Sequence, residues 1–159
     1  MKIAVVPGSF DPMTVGHVNI IERAALLFDK VYVAVMINDA KSYMFTPAQR
    51  TEIARLSLEH IPNVEVIFDG GMLASLAERL GACAIVKGIR DDKDYHYEFE
   101  MAQHNHRMNH NVQTVFLPCD EGAREISSTA VRKRLDIDDD ISDVVARGVT
   151  EYLKEIVIK

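Results

Sequence analysis

The sequence is short of most features that would take a protein out of a reducing, aqueous compartment. Two cysteines, Cys83 and Cys119, are too few for a disulfide framework. Each lies in or beside an apolar run, so both are expected to be reduced, buried thiols of a cytoplasmic protein. No apolar run reaches the length that spans a bilayer, and the chain opens on a strand pattern rather than a leader, so a membrane partner is not expected. Positive charge is also short: 18 Lys and Arg against 24 Asp and Glu leave a formal net charge of -6. That balance argues against a broad nucleic-acid footprint, so any polyanion must be met by a local basic pocket. Repeats, low-complexity tracts and linker-like stretches are missing too. Residues 1–159 therefore read as one domain.

What is present is an alternation of strand and helix patterns. Ile3–Val6 is a continuous apolar run, as in a strand buried on both faces. Val18, Ile21, Ala25 and Phe28 then recur at helical spacing, predicting a helix over about 17–28. Val31–Val35 is a second strand, and the polar segment 38–45 a mobile loop. Thr46-Pro47-Ala48-Gln49 has the form of a helix start with a capping box, and that helix carries Ala54, Leu58 and Ile61. Val64–Phe68 is a third strand. Leu73, Leu76, Ala77 and Leu80 mark a helix closed by Gly81 as its C′ glycine. Ala84–Val86 is the fourth strand, followed by a long helix over about 92–109 and a fifth strand at Val112–Leu117. A helix capped by Ser127-Ser128-Thr129 runs to about Leu135, and Val145, Val149, Tyr152 and Ile156 mark a helical tail. Five strands in such alternation predict an α/β fold with a doubly wound five-stranded parallel sheet.

Three segments carry chemistry. The first strand runs into Pro7-Gly8-Ser9-Phe10-Asp11-Pro12, and Thr14-Val15-Gly16-His17 then opens a helix. Backbone N–H groups, a hydroxyl and an imidazole thus meet at a helix N-terminus beside a strand's C-terminal end, where phosphorylated ligands bind in open α/β sheets. Ile126-Ser127-Ser128-Thr129, followed by Arg132, serves as an N-capping run and equally as a receptor for triphosphate oxygens. Lys87-Gly88-Ile89-Arg90 sets two cations at a strand end, split by a glycine that removes steric cover. His106 and His110 are spaced for one helix face but have no obvious third ligand, so a zinc site is not expected. Asp136–Asp140 reads as a solvated acidic turn.

Together these segments resemble the nucleotidylyltransferase superfamily, with its T/H-x-G-H and I-S-S-T-x-x-R motifs. More narrowly, the chain resembles the bacterial phosphopantetheine adenylyltransferase family along nearly its whole length. The likeness includes Lys41 before Met44-Phe45-Thr46, and Gly88-x-Arg90 with Asp94-Tyr95-x-Tyr97-Glu98. It implies a Rossmann-like nucleotidylyltransferase fold and transfer of AMP from ATP to 4′-phosphopantetheine, giving dephospho-coenzyme A and pyrophosphate in coenzyme A synthesis. It further implies His17 on the α-phosphate as transition-state stabiliser. Ser9, Phe10, Gly88, Ile89, Arg90, Glu98 and the run Ala123, Arg124, Glu125, Ile126, Ser127, Ser128 and Thr129 would form the ATP site. Ser9, Lys41, Leu73 and Lys87 would hold phosphopantetheine. Mg²⁺ would arrive with ATP on phosphate oxygens and water, without a protein cage. A homohexamer and feedback inhibition by coenzyme A are family expectations. The family often has Thr at the Ser9 position and Arg at the Lys87 position; lysine keeps the charge but loses bidentate geometry.

The nearest rivals act on nicotinamide mononucleotide or glycerol phosphate. Cytidylyltransferase relatives usually carry R-T-x-G-I-S-T-T, whereas this chain has Arg124-Glu125-Ile126-Ser127-Ser128-Thr129. A nucleotide-binding regulator without turnover would have no need of His17.

Overall fold

The computed structural model describes residues 1–157. The elements follow one another as β1 (Ile3–Gly8), α1 (Val15–Leu27), β2 (Lys30–Met36), α2 (Pro47–Leu58), β3 (Val64–Asp69), α3 (Leu73–Arg79), β4 (Ala84–Ile89), α4 (Asp92–Met108), β5 (Gln113–Pro118), α5 (Ser128–Asp136) and α6 (Val149–Val157). All strand pairs are parallel, in the order β3-β2-β1-β4-β5. The chain therefore winds outward one way from β1 and then the other way from β4, which is the doubly wound arrangement the sequence predicts.

The strand pattern explains the layers. Successive side chains point to opposite faces. Ala4, Val6, Val31, Val33, Val35 and Val86 face a core shared with Ile21 of α1, Ile53 of α2, Val131 of α5 and Leu153 of α6. Val5, Ala34 and Ile85 face the other way, against Leu76 and Ala77 of α3. Complete burial of one such aliphatic side chain contributes about 1.5–3 kcal/mol. Both faces being covered is why the strands read as continuous apolar runs rather than alternating ones.

Local signals set the helix ends. The Thr46 hydroxyl accepts from Gln49 N–H, while Gln49 Oε1 accepts from Thr46 N–H, completing the predicted capping box. Gly81 follows α3 with φ +66, the left-handed C′ position that glycine occupies without strain. Several boundaries differ from expectation: α1 starts at Val15, β5 takes in Pro118, and Val145 precedes α6. β1 continues through Pro7-Gly8 and β4 through Lys87-Gly88-Ile89, because neighbouring strands offer parallel partners along that whole length. α2 stops at Leu58, and Ile61 reaches the core from the turn that follows. The cysteines are the clearest correction: Cys83 is exposed and Cys119 half-buried, both free. Each sits just outside a strand, Cys83 before β4 and Cys119 after β5, where helical cover ends.

Candidate active site

The sheet opens along one seam. β1 pairs with β2 from Ile3↔Lys30 to Gly8↔Val35, and β4 with β5 from Ala84↔Gln113 to Ile89↔Pro118. Between β1 and β4, by contrast, only Ala4↔Ala84 and Val5↔Ile85 pair. Beyond these rungs the two strands part at the point where strand order reverses, the usual ligand crevice of such sheets. A cleft of about 360 Å³ fills the gap, with Val6, Pro7 and Gly8 on one side and Val86, Lys87 and Gly88 on the other.

Two glycines shape its walls. Phe10 lies folded over Gly8, and a Cβ on Gly8 would come within 2.6 Å of the Phe10 ring. Phe10 holds φ 49, a left-handed conformation uncommon outside glycine. Its reward is contact with the catalytic candidate: the Phe10 and His17 rings meet edge-on, with centroids 5.1 Å apart. A Cβ on Gly88 would press on Ile20 at 3.0 Å, so glycine there lets α1 lie close over β4.

His17 is fixed by the start of its own helix. Thr14 is the N-cap of α1 and His17 its third helical residue. Thr14 N–H donates to His17 Nδ1 at 3.0 Å, and His17 N–H donates to Thr14 Oγ1 at 3.4 Å. Because Nδ1 accepts a backbone hydrogen bond, the proton of the neutral ring is on Nε2. Burial, with the positive charges of Arg90 and Lys87, lowers the His17 pKa from 6.5 to about 4. At neutral pH the cleft is thus lined by an uncharged imidazole with one N–H to give.

α5 enters from far along the chain, its contact with Pro12 spanning 116 residues. The Ser128 hydroxyl donates to Pro12 O at 2.8 Å, and Arg132 Nη1 to Asp11 O at 2.7 Å, tying α5 to the turn after β1. Ala130 N–H donates to Ser127 Oγ, and Arg132 Nη2 to Thr129 Oγ1. Ser127 and Thr129 each keep a hydroxyl proton to donate, and the Ser128 and Thr129 N–H groups meet no acceptor among the described residues. An open helix N-terminus of this kind favours anions.

Two of the cleft cations are held by carboxylates. Lys87 Nζ lies 3.1 Å from Glu98 Oε1, and Arg90 Nε 3.1 Å from Asp94 Oδ2. The bond to Asp94 holds the Arg90 guanidinium above its ordinary pKa. Lys87 and Glu98 also border a side cavity of about 90 Å³ that reaches Leu73, Met101 and Asn105.

Comparison with known proteins fits this geometry. Residues 5–134 match the cytidylyltransferase-like family model. Phosphopantetheine adenylyltransferase from Caldanaerobacter subterraneus subsp. tengcongensis is 41% identical over 98% of this chain and 97% of its own. The enzyme of that name from Streptococcus gordonii is 42% identical over 96% of this chain and 94% of its own. The one from Desulfosudis oleivorans is 43% identical over 98% and 92%. The chain belongs to the phosphopantetheine adenylyltransferase family. It is accordingly a nucleotidyltransferase. A crystal structure from Vibrio parahaemolyticus, assigned to a nicotinate-nucleotide adenylyltransferase, superposes with TM-score 0.76 over 99% of this chain and 95% of its own at 22% identity, a likeness of fold.

Most of the residues that family resemblance singles out gather at the seam. Phe10, His17, Lys41, Lys87, Gly88, Arg90, Glu98, Ala123, Ile126 and Ser127–Thr129 line the cleft. Ser9 lies in an adjoining trough with Lys41, Tyr43, Thr129 and Arg132. Leu73 is in the side cavity instead. Ile89, Arg124 and Glu125 are outside the lining: Ile89 uses its carbonyl to accept Cys119 N–H, and Arg124 and Glu125 are exposed on the approach to α5. Sequence reasoning missed Cys119 as a cleft residue, quoted Asp11 only as part of the turn after β1, and gave no role to Tyr43 or Arg50. Asp11 is buried and accepts from Met44 N–H at 2.9 Å and Phe45 N–H at 3.0 Å. That contact spans more than thirty residues, so no local pattern announces it.

Proposed function

We propose that this family member transfers the adenylyl group of ATP to 4′-phosphopantetheine, releasing pyrophosphate and dephospho-coenzyme A. One observation carries the reading: a neutral imidazole with its proton on Nε2 lines a cleft that also holds the open N-terminus of α5 and three cations, Lys41, Lys87 and Arg90. Membership of a family named for this transfer supplies the acceptor.

The nucleophile is a phosphate monoester, already anionic, so no base is required. One of its oxygens attacks the α-phosphorus in line; the bond from that phosphorus to the bridging oxygen breaks, and the electron pair leaves with pyrophosphate. Positioning and charge stabilisation carry such a reaction. His17 Nε2–H donates to a non-bridging α-oxygen as charge develops there. The amides of Ser128 and Thr129, the hydroxyls of Ser127 and Thr129, and Arg90 meet the β- and γ-phosphates. The Ser128 hydroxyl, given to Pro12, serves by fixing α5 rather than by touching phosphate. Phe10, Gly88, Ile89, Glu98 and Ala123–Ile126 belong to the nucleotide side. Ser9, Lys41, Leu73 and Lys87 belong to phosphopantetheine, whose phosphate displaces Glu98 from Lys87.

Mg²⁺ delivered with ATP would offset phosphate charge. The cleft suits a metal held by phosphate and water, because its carboxylates Asp94 and Glu98 are already paired with Arg90 and Lys87. We read residues 1–159 as one catalytic domain acting in the cytoplasm as a homohexamer, with coenzyme A as feedback inhibitor. Exposed apolar side chains such as Leu26 and Tyr97 support self-association.

The test is pyrophosphate release from ATP with 4′-phosphopantetheine, nicotinamide mononucleotide or glycerol 3-phosphate. Release with the first alone is expected. Turnover with either of the others and none with phosphopantetheine overturns the assignment.

A further inference from the structure

Arg50 is the most anomalous side chain in the molecule. It lies on α2, outside the cleft lining, and is fully buried. No carboxylate among the described residues answers its charge: Nη1 donates to Ser9 O at 2.6 Å and to Met36 O at 3.0 Å. Nε and Nη2 are buried without an acceptor among the described residues. Its guanidinium carbon lies 4.1 Å from the centre of the Tyr43 ring. Taking a guanidinium out of water is costly, and two carbonyls with one ring face offset only part of that cost. An apolar side chain of similar volume would stabilise the core at least as well. What the arginine holds is therefore the better explanation for its presence.

It holds three pieces of the acceptor side. Ser9 follows β1, Met36 ends β2, and Tyr43 belongs to the loop that carries Lys41. The Tyr43 hydroxyl accepts from Asn38 N–H at 2.7 Å and donates to Asn38 O at 3.3 Å. Asn38 in turn closes the turn bearing the lysine, its carbonyl accepting Lys41 N–H at 2.9 Å and its side chain accepting Ala40 N–H at 3.0 Å. The loop's far end is anchored on Asp11 through Met44 and Phe45. Two contacts of Tyr43 tie the near end to the body of the protein: the Arg50 stack, and a hydroxyl that lies 3.5 Å from Ser9 Oγ.

We infer that Arg50 is a positioning residue for the acceptor phosphate: through its stack on Tyr43 it fixes the Asn38–Lys41 turn and so sets where the Lys41 ammonium stands. This rests on the phosphopantetheine reading for the identity of the acceptor, and on the geometry alone for the tether.

Pyrophosphate-release kinetics test it on wild type, Arg50→Met, Tyr43→Ala, Tyr43→Phe, Lys41→Ala and the Arg50→Met/Lys41→Ala pair. Arg50→Met and Tyr43→Ala are expected to raise KM for phosphopantetheine on the order of tenfold, with KM for ATP within about twofold. Tyr43→Phe keeps the ring face and should fall between wild type and Tyr43→Ala. In the Lys41→Ala background the Arg50→Met effect should shrink to about twofold or less, since coupled residues are not additive. Equal rises in both KM values, or an undiminished effect without Lys41, overturn the inference. If Arg50→Met fails to fold, the Tyr43 pair decides. Amide exchange needs no substrate: Asn38 and Lys41 should exchange on the order of tenfold faster in Tyr43→Ala, and unchanged exchange overturns the tether. Wild type that makes no pyrophosphate with phosphopantetheine sinks the proposed acceptor, while the exchange result still judges the tether.

Discussion

Two helix N-termini meet at the cleft, and they are built in opposite ways. That of α1 is largely closed: Thr14 N–H is given to His17 Nδ1, His17 N–H to Thr14 Oγ1, and Val15 N–H to Val144 O, which leaves the Gly16 amide unused among the described residues. That of α5 is open, with the Ser128 and Thr129 amides unused among the described residues. A largely closed terminus uses its cap to orient one side chain; an open one keeps its amides for an anion. The same position in the fold thus yields two devices, a single aimed donor in α1 and a diffuse anion seat in α5. A reaction that develops charge at one phosphorus while two more phosphates sit still needs both.

Removing each device should separate them, and the largest effect belongs to the aimed donor. His17→Ala is expected to lower kcat by roughly 10²–10³, the usual loss for one oxyanion-type donor, with ATP affinity nearly kept. Turnover at the wild-type level in a steady-state assay would erase the distinction. Next comes the acceptor side: Lys87→Ala should raise KM for phosphopantetheine on the order of tenfold and spare KM for ATP. Equal damage to both would move Lys87 to the nucleotide side.

A titration sharpens the closed terminus. His17 has its pKa lowered from 6.5 to about 4 in the folded, ligand-free protein. Between those values the unfolded chain binds a proton that the folded one refuses, so stability should fall as pH drops through that window and level off below it. Chemical denaturation at several pH values, with His17→Asn flattening the slope, checks the sign. NMR of the His17 ring should give a midpoint near 4 with Nε2 protonated above it; a midpoint near 6.5 would mean that the ring is neither desolvated nor fixed. The smallest effect concerns the open terminus. Ser127→Ala removes the cap on Ala130 N–H and should cost about 1 kcal/mol, read as a lower Tm.

The parts of the fold legible in the sequence are those decided within a few residues. The capping box at Thr46, the C′ glycine at Gly81 and the cap at Ser127 depend on neighbours three or four positions away. Strand ends were less legible, because the pairing of Lys87-Gly88-Ile89 with Phe116-Leu117-Pro118 depends on a distant partner. The cysteines were misread for the same reason: an apolar neighbourhood in sequence says nothing of where helical cover stops. His17 stood out in the sequence through its motif, and the structure puts it in the cleft lining; its tautomer was not legible, since that follows from which nitrogen the Thr14 amide reaches.

Residue order alone determined the parallel, doubly wound sheet and the three segments around His17, Lys87 and Ser128, because strand burial, helix caps and phosphate-binding turns are short-range patterns. Tertiary structure alone decided that β1 and β4 part after two rungs, that α5 docks on Pro12, and that a buried Arg50 holds the Lys41 loop. Those outcomes depend on desolvation and on contacts between groups far apart in the chain, and neither is written in any local stretch of it.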